Sequence, residues 1–300
     1  MAVLDMLKIY TTMFWFSITL VLASVVLVSL YGLNFGVDFK GGTVIELNFD
    51  KNRPTTSEIQ KTLSNFPDML VSSIGSDNTI IRTKDLTEDK HQEILAVLRG
   101  TFPDSVFRED RFDSVGPVIG NELKRKSTTA IILVLAAVTC YIAIVFRKLS
   151  RTLSPWSMGL AAIVALLHDV IIPVGVFAVL GYFYGIEINA VFVAAVLTIL
   201  GYSVADTVVV FDRVRENVIR GSSSSQVMDF PEVVHKSILQ TLTRSLNTTF
   251  TTLLSLFAIY FFGGESIRYF ALALIIGIFL GAYSSIFVAS PLLVWLSKNR

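Results

Sequence analysis

Six runs of mainly apolar residues, at 12–31, 128–146, 156–181, 188–211, 246–262 and 267–296, constrain this chain more than anything else in it. Each is close to the roughly 20 residues a helix needs to cross a hydrocarbon core of about 30 Å. In hydrocarbon every backbone N–H and C=O must be paired within the spanning structure, and continuous apolar runs meet that demand as helices. A polytopic α-helical membrane protein with six spans is expected. The last run is long, which predicts a tilt or a frayed end. The first lacks a small-x-small cleavage pattern and is read as an uncleaved anchor.

Charge divides the chain into two materials. Residues 32–127 hold 13 Lys/Arg and 15 Asp/Glu, whereas the other 204 residues hold only 21 charges among them. The overall 16% charge therefore averages a water-compatible segment with a remainder too apolar for water. A single soluble domain is excluded. So is a nucleic-acid binder held by bulk charge, because the net charge is +1. The lone Cys140 excludes an intrachain disulfide and a cysteine-based metal site.

The short loops fix an orientation. Lys8, Arg147, Lys148, Arg151, Arg213, Arg215, Arg220, Lys236, Arg244, Lys298 and Arg300 all fall on one side, with Arg268 alone near the other. By the positive-inside rule both termini are cytoplasmic and residues 32–127 lie outside. Three parts follow. Residues 1–31 form the cytoplasmic N-terminus and first span, 32–127 an extracytoplasmic domain, and 128–300 spans two to six with a cytoplasmic loop at 214–243.

In the outer segment, 43–49 alternates as a strand and Thr55-Thr-Ser-Glu58 is a capping-box pattern opening a helix to about Asn65. Strands are expected at 69–74 and 79–83 around a turn at Gly75-Ser-Asp-Asn78. A helix over 87–99 should end at Gly100, and 105–115 reads as a weak last strand with charges on both faces. The order is β-α-β-β-α-β, an α+β ferredoxin-like (βαββαβ) arrangement. It contains no catalytic constellation, and its one histidine, His91, is expected to be solvated. In the 214–243 loop, Gly221-Ser-Ser-Ser-Ser225 reads as a linker, and Pro231 opens a helix carrying Val234, Ile238 and Leu242 on one face. That helix either lies on the membrane surface or packs on the ends of its neighbours.

The chemistry is sought where charge is most costly. A carboxylate in mid-membrane costs at least about 2.5–3.5 kcal/mol, so it marks a functional site by default. Asp169, beside His168, lies in the third run, and Asp206 in the fourth. Tyr202, Ser203 and Thr198 are expected on the face of Asp206. The fifth run offers a polar stripe from Arg244 through Asn247 or Thr248 and Thr251 or Thr252 to Ser255. Arg244 and Asp206 are expected to approach each other, as a proton relay or as a static ion pair. Asp169 is expected to accept bonds from neighbouring helices while His168 faces elsewhere, and Pro173 to kink that helix. Gly277, Gly281, Ser285 and Ala289 form a small-residue ridge for close helix packing, with the partner helix left open.

Several longer motifs are recognisable. Gly36-Val-Asp-Phe-Lys-Gly-Gly-Thr43, with Asp38, Gly41 and Gly42, follows the first run. Val115-Gly-Pro-Val-Ile-Gly120 precedes the second, and Leu167-His-Asp-Val170 lies in the third. Gly201 to Asn217 carries Asp206, Asp212 and Arg213, and Arg244 to Thr249, Phe262-Gly-Gly264 and Tyr283 to Pro291 follow. In this order the chain resembles the SecF family, the smaller subunits of the SecD–SecF accessory complex of bacterial protein export. It departs at Ala205 and Ala282, where Asn and Thr are common in relatives. The resemblance implies the resistance-nodulation-division superfamily and a place in the bacterial inner membrane. It implies SecD, the SecYEG channel, YajC and the exported preprotein as partners, no cofactor, no enzymatic reaction, and work driven by the proton-motive force. Asp206 would then carry the proton, Arg244 would be its partner, and Asp169, Asp212 and Arg213 would have less defined roles. Half of a small-molecule or lipid exporter of the same superfamily is the alternative. An intramembrane aspartyl protease is disfavoured, because Asp206 follows Ser-Val-Ala and not Gly-x-Gly.

Overall fold

The computed structural model describes residues 2–66, 68–74, 77–84, 86–146, 155–221 and 229–297. Gly75 and Ser76 of the expected turn, the basic residues Arg147, Lys148, Arg151, Lys298 and Arg300, and Ser222–Ser225 of the linker lie outside the described residues. The chain divides into two units, Phe35–Thr128 and a helical unit made of Met1–Asn34 with Thr129–Arg300.

The smaller unit opens with α2 (Val37–Lys40), following α1 (Ala2–Tyr31) of the helical unit. Gly41 and Gly42 then take φ of 75° and 119°, a region open to glycine at no steric cost. A Cβ at Gly41 would lie 2.7 Å from the Cα of Pro117, so the position is closed sterically as well. Gly36 has φ −74° and needs no such freedom. There follow β1 (Gly42–Lys51), α3 (Thr56–Thr62), β2 (Leu70–Ile74), β3 (Asn78–Thr83), α4 (Glu88–Thr101) and β4 (Val106–Val115), the β-α-β-β-α-β order expected. The sheet runs β2-β3-β1-β4, with every neighbouring pair antiparallel. Ile45, Leu47 and Phe49 of β1 meet Ile59, Leu63, Ile94, Leu95 and Leu98 from the helical side, forming the core.

Thr55 caps α3 in both directions. Its hydroxyl accepts the Glu58 N–H at 3.3 Å, and Glu58 accepts the Thr55 N–H at 2.8 Å. The Thr55 N–H, and after it the Thr55 hydroxyl, which also donates to Glu58 Oε2 at 2.8 Å, hold the Glu58 carboxyl below the usual carboxylate range. Two expectations are corrected. Helix α4 passes through Gly100 to Thr101 and is capped at Phe102, whose N–H bonds back to Leu98. His91 is buried, not solvated, because it shares the core face of α4 with Ile94, Leu95 and Leu98, and the strand β4 carries an extra residue. Leu47 pairs with Glu109 and Glu46 with Arg111, leaving Asp110 unpaired as a bulge. The bulge explains why 105–115 reads as charged on both faces, since alternation restarts in the middle of the strand.

Six helices among the described residues are long and apolar enough to cross a membrane, matching the six runs. They are α1, α5 (Pro117–Val145), α6 (Pro155–Tyr184), α7 (Ala190–Gly221), α8 (Phe230–Phe262), and α9 (Glu265–Ser284) with α10 (Ser290–Ser297). Helix α5 starts earlier than its apolar run, with Pro117 at the first helical position, where its missing N–H costs nothing. Helix α6 runs on through Pro173. The long last run is continuous but carries a π turn, Ser285–Ala289, just before Pro291. Proline has no N–H to give to the preceding turn, and within that turn the Ser290 hydroxyl donates to the Ser285 carbonyl at 2.7 Å.

Residues 230–243 are not a separate surface helix. Helix α7 continues to Gly221, and residues 230–243 are the first turns of α8, one unbroken helix. Val210 and Val214 pack on Val234 and Ile238, while Asn217 donates to Ser237 at 2.8 Å and Gln240 at 2.9 Å. The apolar stripe that suggested a lipid surface is spent on the neighbouring helix. The small-residue ridge of α9 likewise has its partner in this chain. A Cβ on Gly281 would lie 3.2 Å from the Cβ of Ser203 on α7. Glycine there lets the two backbones close up.

Candidate functional site

The close approach of α6, α7, α8 and α9 brings both intramembrane carboxylates into one polar cluster. Asp169 is fully buried. Its Oδ2 accepts the hydroxyls of Ser203 on α7 at 2.5 Å and Ser284 on α9 at 2.7 Å. Its Oδ1 lies 2.9 Å from Nδ1 of His168. The expectation that His168 faces elsewhere is therefore corrected, because the imidazole folds back onto the next residue's carboxylate. The same ring stacks on Tyr283, whose hydroxyl donates to the Met13 carbonyl on α1 at 2.9 Å. Both oxygens of Asp169 are thus supplied with donors from three helices, as a buried charge requires.

Asp206 is differently placed. It sits near the middle of α7, and its Oδ1 accepts the Ser245 hydroxyl of α8 at 2.6 Å. Its Oδ2 is buried and has no hydrogen-bond partner among the described residues. Ser285 is beside it, but its hydroxyl donates to the Gly281 carbonyl at 2.8 Å and lies 3.3 Å from that of Thr207. A buried acceptor without a donor costs about 1–3 kcal/mol. A proton on that oxygen removes the charge responsible for most of the cost. Chemically, Asp169 is a saturated acceptor and Asp206 an open one.

The other expected residues are spread more widely. Ser203 turns to Asp169 and not to Asp206. Tyr202 bonds Thr252 at 3.3 Å, and Thr198 donates to its own helix at Ala194. Arg244 is exposed, and no hydrogen bond or ion pair joins it to Asp206; its neighbour Ser245 takes that place. Asn247, Thr248, Thr251 and Ser255 are exposed as well, and the hydroxyls of Thr248, Thr251 and Ser255 bond back to α8. Asp212 pairs with Arg215 at 2.9 Å and Arg213 with Glu216 at 2.7 Å, all on the last turns of α7. Gly36, Asp38, Gly41 and Gly42 belong to the smaller unit and its entry turn.

Sequence reasoning missed Ser245, Ser284 and Ser285 as contributors to the cluster. Their one signal is two adjacent serines in the most buried of the apolar helices, together with a serine beside Arg244. No group of three or more His, Cys, Asp or Glu suited to a metal occurs among the described residues.

Comparison with known proteins gives a consistent result. Residues 95–299 match the family described as protein export membrane protein SecD/SecF, C-terminal, and residues 26–52 match the SecD/SecF GG motif. The chain is 39% identical to the protein translocase subunit SecF of Thermobaculum terrenum, covering 99% of this chain and 95% of that protein. It is 39% identical to the protein translocase subunit SecDF of Brucella abortus, covering 91% of this chain but 35% of that protein. Among solved structures it is similar to SecDF, a translocon-associated membrane protein from Thermus thermophilus. The TM-score is 0.81 at 32% identity, over 99% of this chain and 39% of that one. A second structure, SecDF in a super-membrane-facing form, gives 0.64 over 97% of this chain and 38% of that one.

Proposed function

The chain belongs to the SecD/SecF family of protein export membrane proteins, and from that premise we propose that it is one six-helix half of a proton-driven protein translocase. The other half is SecD, which the fused relatives carry within the same polypeptide, and the pair stands at the SecYEG channel. Its place is the bacterial inner membrane, with both termini cytoplasmic and Phe35–Thr128 outside. Proton-motive force is the energy source, and exported preprotein is what is moved.

The observation that carries this reading is the inequality of the two carboxylates. Asp169 has hydrogen-bond partners on both oxygens, so it anchors α6 to α7 and α9. Asp206 keeps one buried oxygen open, so it is the group that takes and releases the proton. Protonation neutralises Asp206 and weakens the Ser245 bond, the link between α7 and α8 at this depth. Arg244, one residue away on α8, competes for the carboxylate in its charged state. The resulting shift between α7 and α8 moves the outer unit through α1 and α5. One elementary charge crossing 100 mV supplies about 2.3 kcal/mol, enough to bias such a two-state element more than tenfold.

The test is Asp206→Asn. Proton-dependent export in membrane vesicles should be lost, while the variant still inserts and co-purifies with SecD. Export at the wild-type rate would end the proposal.

A further inference from the structure

His91 lies in the outer unit, remote in sequence from the membrane carboxylates, and is only 3% exposed. Its Nδ1 is 3.2 Å from Glu88 Oε1, one turn earlier on α4. Its Nε2 is 3.0 Å from Glu109 Oε1 on β4, an ion-pair contact not aligned as a hydrogen bond. The ring lies flat on Phe112 of β4, with centroids 3.8 Å apart and planes 8° from parallel. The bulge at Asp110 is what makes this bracket. Across from Leu47 and Ile45, whose side chains are in the core, stand Glu109 and Phe112. Three residues apart, they share a face only because one residue between them is unpaired.

We propose that His91, Glu88 and Glu109 form a proton-binding clamp, closed between α4 and β4 when the imidazole is charged and slackened when it is neutral. A neutral imidazole carries one N–H, so one ring nitrogen must then turn a lone pair toward a carboxylate. Only the imidazolium serves both glutamates and stacks as a cation on the Phe112 ring. Among the described residues, the cations of β4 do not substitute for it. Arg108 is taken by Asp110 at 2.6 Å and Arg111 by Asp113, while β1 presents Leu47 and Ile45 here. Glu88 stays ionised into acid, its carboxyl held below the usual range by hydrogen bonds from Gln92 and then His91. The clamp binds its proton in the closed form, so it is tighter in acid than in base. With the outer unit on the proton-rich side of an energised membrane, the clamp reports that side's acidity directly to α4 and β4.

Hydrogen–deuterium exchange of the full chain in lipid nanodiscs tests this between pH 5.5 and 8, with rates corrected for intrinsic exchange. Protection of 88–101 and 106–115 should fall across the interval, relative to 70–74 and 78–83. In His91→Gln, which does not titrate, the relative pH dependence should vanish. Glu109→Gln, which keeps the histidine, should at least halve it on a logarithmic scale and provides the reading if His91→Gln does not fold. A wild-type profile without relative pH dependence, or an unchanged slope in either folded variant, overturns the proposal.

Discussion

The donors around Asp169 allow its charge state to be read from stability. Ser203 and Ser284 both donate to the same oxygen, at 2.5 Å and 2.7 Å, inside a region with no access to water. Hydrogen bonds between membrane helices are worth about 0.6 kcal/mol on average and about 1.7 kcal/mol at most. A short bond to a fully buried carboxylate belongs at the upper end, because the alternative is a charge short of a donor. Ser203→Ala should therefore cost about 1.7 kcal/mol in the wild-type background, and about 0.6 kcal/mol when Asp169 is already Asn. The difference is roughly sixfold in the unfolding equilibrium constant. Ser284→Ala should behave alike, and the double variant should cost less than the two singles together, since both act on one oxygen. The assay is reversible unfolding of the purified chain in mixed micelles, measured for all four members of each cycle. Equal costs in the two backgrounds would show that Asp169 is not held as a charge, and the division of roles between Asp169 and Asp206 would fall with it.

Two further outcomes are expected. Gly41→Ala combines a positive φ with a methyl driven onto the Pro117 backbone, and should destabilise the Phe35–Thr128 unit by at least about 2 kcal/mol, read as faster proteolysis within that unit. Thr55→Val removes the hydroxyl from the α3 cap, and with it part of what holds the Glu58 carboxyl low. The native-state value lies below the unfolded one, so this stabilisation is present above the unfolded value and fades as pH falls through the folded one. The acid-induced unfolding profile of the variant should therefore be less steep on the carboxylate side.

Much of the architecture was legible because each feature had a local cause. Apolar runs of spanning length can only be helices in lipid, and Thr55 with Glu58 announces α3 by its own side chains. The misreadings share a different cause. A hydroxyl in a spanning helix looks the same in sequence whether it bonds its own backbone, as Thr198 does, or a carboxylate on another helix, as Ser284 does. His91 falls at helical spacing with Ile94, Leu95 and Leu98, so its burial was there to be read; its partners were not, because a one-residue bulge moves Glu109 and Phe112 to one face and strict alternation does not register it. The stripe of Val234 and Ile238 was correctly apolar, but periodicity names no partner, and α7 supplied it. Both carboxylates could be found from their cost alone; that one is better supplied with donors than the other depends on serines of α7, α8 and α9.

The π turn ahead of Pro291 has one more consequence. Fitting an extra residue into a turn is a phase slip of about 100°, so one helical wheel cannot describe both α9 and α10. Up to Ser285 the ridge advances by fours; beyond it the bond from Ser290 advances by five. A chain shortened by one residue within 285–289 would close into plain α-helix and swing Val294 and Trp295 around the axis, away from the side they now share with Tyr10 and Phe14. An insertion that elsewhere would be a blemish here sets the azimuth of the last eight helical residues, independently of the register that holds Ser284 on Asp169.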